Sequence, residues 1–332
     1  VAPLAVSMGD PAGIGPEIIA KAWVARREHG LPPFFAVGDP RAIEAVWDGP
    51  LARITDLSAV AGAFETALPI LSVEDAGAIV PGQPDADGAR SALQALELAS
   101  GLARSGAARA LVTGPVSKSQ LYQIGFTHPG QTEFVAERCG VSRDNAVMML
   151  AGPSLRVVPM TTHVPLAQVS SLLSIELIVA KAQATARGLT KNFGIAAPRL
   201  AFAGFNPHAG EGGAIGDEEI LLIEPAIAFL REEGVNASGP FAADTMFHPR
   251  ARATYDAAMC CYHDQALIPI KTLHFDEGVN ITLGLPIVRT SPDHGTAFGL
   301  AGQDRAEPGA MIAAIAMAGE AASRRAAARA ST

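Results

Sequence analysis

Three of the eight histidines share one kind of position: each stands a few residues beyond a short apolar run. His163 follows LRVVPMTT, His208 follows LAFAGFNP and His263 follows AAMCCY. Apolar runs of this length, punctuated by Gly and Pro, read as buried strands, and in a parallel sheet the C-terminal strand ends face one side, where ligands bind. Residues 45 and 55 positions apart can therefore meet at one site. Three imidazoles with an open coordination position describe a catalytic divalent metal site, and nitrogen donors favour zinc. Three unrelated loop histidines bonded to backbone are the plain alternative, and the residues alone leave both open. Asp264, beside His263, and Asp244, in FAADTMF, are carboxylates able to orient a ligand imidazole or to accept a proton.

Polar groups for a small anion come from other strand ends. TGPVSK and GQTEF supply Lys118, Gln131 and Thr132; Lys271 lies eight residues beyond His263, and Arg289 follows another apolar run. Lysine and arginine so placed bind phosphate or carboxylate, arginine through its bidentate fork. In TSPDHGTAFGLAG, Asp293, His294, Gly295 and Thr296 form a small-residue loop leading into an expected helix start, where His294 could be a ligand, a base or a ring stacked on an adenine, its small neighbours favouring the last. SMGDPAGIGPE sets Gly9, Gly13 and Gly15 after the first strand, without the G-x-G-x-x-G spacing of a dinucleotide turn. No GxxxxGK[ST] occurs, which disfavours a P-loop NTPase.

These side chains need a scaffold of strands and covering helices. Apolar runs at 4–8, 34–37, 110–112, 155–160, 200–205 and 257–262 alternate with loops and helix-like segments. Leu93, Leu96, Ala99 and Ala103 share one predicted helix face, and Ile220, Ile223, Ile227 and Leu230 another. Residues 309–330 read as an Ala-rich helix with arginines near its C-terminus, where cations suit the dipole. The fold class is α/β with mostly parallel strands. With 332 residues, about two domains are expected. Hydrophobic residues at 49% against 17% charged suit a packed enzyme, and the net charge of −8 disfavours nucleic acid. Cys139, Cys260 and Cys261 show no CxxC spacing, and no membrane span or leader is apparent, so a cytoplasmic protein is expected.

SMGDPAGIGPE, TGPVSK, TTHVP, NPHAGEGG, ADTMF, YHDQA, GVNITLGLP and RTSPDHGTA occur in an order that closely resembles the 4-hydroxythreonine-4-phosphate dehydrogenase family of pyridoxal phosphate biosynthesis. The resemblance spans nearly the whole chain. It implies two α/β/α domains with a central cleft, similar to isocitrate and isopropylmalate dehydrogenases. One domain would combine 1–128 with 275–332 and carry the cofactor loop; the other, 129–274, would bind metal and dimerise. The resemblance implies His163, His208 and His263 as ligands of one divalent ion (zinc, with magnesium or cobalt as alternatives), His263 serving the partner's site in a homodimer whose active site lies at the subunit interface.

Gln131, Thr132, Lys271, Asn280 and Arg289 match substrate-binding positions, Asp293 to Thr296 the NAD or NADP loop, and Lys271, Asp244 and Asp264 are candidates for proton transfer. Where the family motif reads GHTEF this chain reads GQTEF, so Gln131 stands in place of a titratable histidine. The implied reaction is oxidation of 4-(phosphooxy)-threonine to a β-keto acid that loses carbon dioxide. Alternatives are a relative acting on another 4-phosphorylated hydroxy acid (threonate or erythronate phosphate), a metal-dependent hydrolase using the three histidines to activate water, and a non-catalytic metal-binding protein.

Overall fold

The computed structural model describes residues 2–330. The chain divides into two compact units, Val1–Gly140 with Leu285–Ser323, and Val141–Gly284 with Arg324–Thr332. Each is α/β.

The first unit holds β1 (Leu4–Ser7), β2 (Phe34–Gly38), β3 (Leu51–Ile54), β4 (Leu68–Ser72), β5 (Leu111–Thr113) and, from the returning segment, β12 (Arg289–Pro292). They lie in the order β3-β4-β2-β1-β5-β12, every pair parallel. β1, β2 and β5 are buried along their whole length, as continuous apolar strands in a sheet covered on both faces should be. The helix Ala86–Ser105 starts where Asp85 accepts from the Gly88 N–H at 2.7 Å and stops at Gly106, whose φ of 80° breaks the helical path. It buries Leu96, Ala99 and Ala103 as the spacing predicts, while Leu93, the fourth member of that face, is half-buried; removing the Leu96 side chain from water is worth about 1.5–3 kcal/mol.

The second unit holds β6 (Val147–Gly152), β7 (Leu155–Pro159), β8 (Arg199–Ala203), β9 (Asn236–Phe241), β10 (Ala257–Cys260) and β11 (Val279–Leu283), ordered β11-β6-β7-β10-β8-β9. β7, β10, β8 and β9 run parallel, whereas β6 is antiparallel to both its neighbours.

Four sequence expectations are corrected. The exchange between units falls at 140/141 and 284/285, not at 128/129 and 274/275. β11 accounts for the second shift: it pairs with β6 over five residue pairs, which fixes Asn280 in the second unit, while Gln131 and Thr132 fall in the first. The end of the Ala-rich helix, from Arg324, also goes with the second unit, where Arg324 and Arg325 bond Asn192. No helix starts in the DHGTA segment: 293–308 is turns and irregular chain, and the next helix is Gly309–Ala330. Ile220 is 43% exposed while Glu219 is 1% exposed, because residues Glu219–Ile223 form a π turn whose wider winding rotates position 220 off the face kept by Ile223, Ile227 and Leu230.

Candidate active site

In the second unit the three histidines follow the C-terminal ends of three adjacent parallel strands, His163 after β7, His263 after β10 and His208 after β8, with β10 in the middle. A cavity of about 290 Å³ opens at the β7 and β10 ends, lined by Thr161, His163, Val169, Tyr262, His263 and Asp264. The rings of His163 and His263 lie 5.6 Å apart, centroid to centroid. Asp264 Oδ1 accepts from His263 Nδ1 at 2.7 Å, which leaves Nε2 as the nitrogen available to a ligand.

His163 and His208 have φ of 54° and 51°, a left-handed conformation that costs a side-chain-bearing residue free energy and persists only where its surroundings impose it. The donor set fits a nitrogen-ligated divalent ion in part. Two imidazoles face each other, one with a carboxyl behind it, but among the described residues no group of three or more His, Cys, Asp or Glu side chains is arranged to hold a metal ion. His208 follows the neighbouring strand end, that of β8, and His263 meets His163 within one chain.

In the first unit, three loops at the C-terminal ends of β1, β5 and β12 are laced together. Asp10 N–H donates to the Pro115 carbonyl at 2.9 Å, Gly114 N–H to Ser7 at 2.8 Å and Ile14 N–H to Thr296 at 2.9 Å. The glycines of SMGDPAGIGPE serve this close approach: a Cβ on Gly9, whose φ is 79°, would lie 2.2 Å from the Pro115 oxygen, and one on Gly15 would lie 2.1 Å from that of Met8.

Arg289 opens β12 at 3% exposure; Nη2 donates to Thr113 Oγ1 at 2.7 Å and Nη1 to Thr132 Oγ1 at 3.0 Å. Burial draws its pKa down to about 10, against the pull of Glu133. Gln131 Nε2 donates to the Gly114 carbonyl at 3.1 Å, and its buried Oε1 has no hydrogen-bond partner among the described residues. His294 Nδ1 pairs with the Gly295 carbonyl at 3.1 Å, leaving Nε2 a buried acceptor without a partner there. An acceptor of this kind beside Gly295, where a Cβ would meet nothing within 4 Å, fits a nucleotide whose base carries an N–H donor.

The remaining predicted residues are spread more widely. Lys271 lies two turns beyond His263 on the helix His263–Leu273, its Nζ 6.0 Å from the Phe275 ring centre. Asn280 sits on β11 with a buried Oδ1 that lacks a hydrogen-bond partner among the described residues. Asp244 is exposed in the turn Ala243–Thr245 and does not line the cavity. Lys118 is exposed at the start of the helix Lys118–Gln123.

Sequence reasoning missed Asp10, which is 1% exposed. Burial, opposed by the Ala12 N–H and aided by the Asp85 carboxyl, raises its pKa to about 6. It also missed Thr113, Thr161, Gln265 and Glu219. Thr113 and Thr161 could have been found as polar residues ending apolar runs, and Asp10 and Gln265 as members of motifs already singled out.

Residues 32–318 match the family described as pyridoxal phosphate biosynthetic protein PdxA. The chain is 57% identical over 323 residues to the 4-hydroxythreonine-4-phosphate dehydrogenase of Zymomonas mobilis subsp. mobilis, covering 97% of this chain and 96% of that one. It is 55% identical to the enzyme of the same name from Erythrobacter litoralis, with 98% of each covered. Among solved structures, the 4-hydroxythreonine-4-phosphate dehydrogenase of Klebsiella pneumoniae superposes with a TM-score of 0.86 at 36% identity, covering 97% of this chain and 98% of that one.

Proposed function

Because this chain belongs to the pyridoxal phosphate biosynthetic protein PdxA family and is a nicotinamide-dependent dehydrogenase, we propose that it oxidises 4-(phosphooxy)-threonine to 2-amino-3-oxo-4-(phosphooxy)butanoate, which loses carbon dioxide to give 3-amino-2-oxopropyl phosphate. The observation that carries this reading is the His163 and His263 pair facing one cavity at adjacent strand ends.

His163 and His263 would hold a divalent ion, zinc or alternatively magnesium or cobalt, with His208 as the third ligand. Such an ion supplies Lewis acidity, making a secondary hydroxyl easier to deprotonate. Asp264 keeps His263 in the tautomer that offers Nε2. Arg289, held rigid by Thr113 and Thr132, binds the substrate's phosphate or carboxylate with Gln131 and Thr132 beside it, and Lys271 and Asn280 add polar contacts. Asp264 and Lys271 take part in moving the hydroxyl proton; Asp244, exposed and off the cavity, is set aside from that role. Asp293, His294, Gly295 and Thr296 hold NAD or NADP, which accepts the hydride.

We propose further that the working form is a homodimer with the site at the subunit boundary, in the cytoplasm. Leu166, which lines the cavity and is 67% exposed, gives the cavity an apolar edge that a second copy would cover. Among the described residues no single helix is long and apolar enough to cross a membrane.

The test is formation of reduced nicotinamide with 4-(phosphooxy)-threonine and with 4-phosphothreonate, with and without chelator. Turnover of the first alone supports the reading. Preference for the second would assign the chain to the oxidation of another phosphorylated hydroxy acid, a reading that Gln131 in place of histidine keeps alive. Metal-dependent hydrolysis without nicotinamide turnover would overturn both.

A further inference from the structure

Cys261, the first residue beyond β10, has its peptide held from both sides. Its carbonyl accepts from Thr161 Oγ1 at 2.8 Å and from the Thr161 N–H at 3.3 Å. Its N–H donates to Gln265 Oε1 at 2.7 Å. The other end of the same amide, Gln265 Nε2, donates to the Gly204 carbonyl at 2.8 Å, at the end of β8. A row of side-chain bonds thus crosses the ends of β7, β10 and β8 in spatial order. Thr161 is two residues before His163, Gln265 two after His263, and Gly204 four before His208.

Gly204 is also where the His208 loop folds back. A Cβ there would meet Ala209 Cα at 2.8 Å and Glu219 Oε1 at 3.1 Å. Two residues on, Asn206 donates through its backbone N–H to Glu219 Oε1 at 2.7 Å and through Nδ2 to Glu219 Oε2 at 2.9 Å. Residues 208–212, all at positive φ, follow directly. A shift of the Gly204 peptide is therefore passed into the loop that carries His208.

We propose that Gln265 is a positioning residue that fixes the spacing between the loops bearing His263 and His208. The hydrogen-bond pattern admits an amide and little else. Position 265 must accept from an N–H and donate to a carbonyl at once. Glutamate, of the same shape, offers two acceptors and sets one against the Gly204 oxygen; methionine, similar in length, offers neither bond. Glu219 shows the complementary case, where both facing groups are donors and both oxygens must accept. The inference rests on the proposed function only in taking His208 and His263 as ligands of one ion.

The experiment uses the full-length protein with isotope-labelled histidine, comparing wild type with Gln265→Glu and Gln265→Met by the NMR signals of the imidazole rings, and by calorimetric titration with zinc. In both variants the His208 and His263 ring signals should shift or broaden, while those of His29 and His128, in the other unit, stay in place. Zinc affinity should fall about 10–100-fold, as when a group that orients a ligand is removed. Unchanged His208 and His263 signals in both variants overturn the proposal, as does zinc affinity equal to wild type. If wild type binds no zinc, the metal reading fails on its own, and the ring signals still decide the role of Gln265.

Discussion

Asp10→Asn probes the environment built where β1 ends. Asp10 is 1% exposed, and its Oδ1 accepts the Ala12 N–H at 3.0 Å. Burial is the largest influence on its acidity, and the nearby Asp85 carboxyl adds to it, so that its pKa rises from the ordinary 3.8 to about 6 although the Ala12 N–H pulls the other way. Between those values the folded protein binds a proton that the unfolded chain releases. Stability from this group is therefore fully present below the unfolded value and is lost as the pH rises through the folded one. At about 1.4 kcal/mol per pH unit, the interval amounts to about 3 kcal/mol. Asparagine keeps the acceptor for Ala12 and removes the ionisation. The variant should gain about 2–3 kcal/mol relative to wild type as the pH is raised from about 4 to about 7. Urea midpoints of both proteins across that range measure it, because titrating groups that do not interact with Asp10 cancel in the difference. A difference that stays flat with pH would refute the reasoning and place the Asp10 carboxyl in contact with water.

Chelation should abolish turnover and zinc should restore it, since an unassisted secondary hydroxyl is a poor proton donor near neutrality; full activity in chelated enzyme would falsify the metal assignment. Arg289→Lys removes the fork that spans Thr113 and Thr132, so KM for the phosphorylated substrate should rise about 10–100-fold, with an unchanged KM counting against an anion-binding role. Gly9→Ala places a Cβ against the Pro115 oxygen at a φ of 79° and should lower stability by about 2–4 kcal/mol, read as a drop in the urea midpoint; wild-type stability would mean the β1 and β5 loops separate freely. Leu166→Asp should shift the protein toward monomer in sedimentation and reduce activity with it, whereas a monomeric variant of full activity would remove the subunit boundary from the site.

Much of the scaffold was legible because parallel α/β sheets leave strong local signals. The six apolar runs are β1, β2, β5, β7, β8 and β10, all but β2 carrying site loops at their C-terminal ends, and the Ala-rich helix has the bounds its composition predicts. Six strands were passed over: β4, β6 and β11 lie inside the strand order, and β6, VMMLAG, is as apolar as the runs that were read, whereas two others are peripheral and broken in pattern. β9 reads NASGPF and β3 reads LARI, neither of them apolar throughout, and each lies at an outer position of its sheet, where one neighbour is absent and continuous burial is not required. The unit boundaries were displaced for a related reason. Which unit claims β11 depends on its pairing with β6, a partner more than a hundred residues away, and no composition change marks the junction.

The site divides along the same line. His163 and His263 were found because each is a polar residue just past an apolar run, and a parallel sheet carries such residues to one edge whatever the loops do. His208 satisfies the same rule after β8, but the conformation of its loop was not legible. His208, Ala209 and Glu211 all take left-handed conformations, each about 1–2 kcal/mol less favourable than the right-handed form for a residue with a side chain. Nothing in NPHAGEGG read by itself favours that run; the glycines permit it only at 210, 212 and 213. What imposes it is tertiary: Glu219, turned inward by the π turn that turned Ile220 outward, binds Asn206 through both carboxyl oxygens and crowds Gly204 and Gly210. One buried carboxyl thus accompanies both the outward turn of Ile220 and the left-handed run that carries His208, and Gln265 ties that arrangement to the strand end bearing His263.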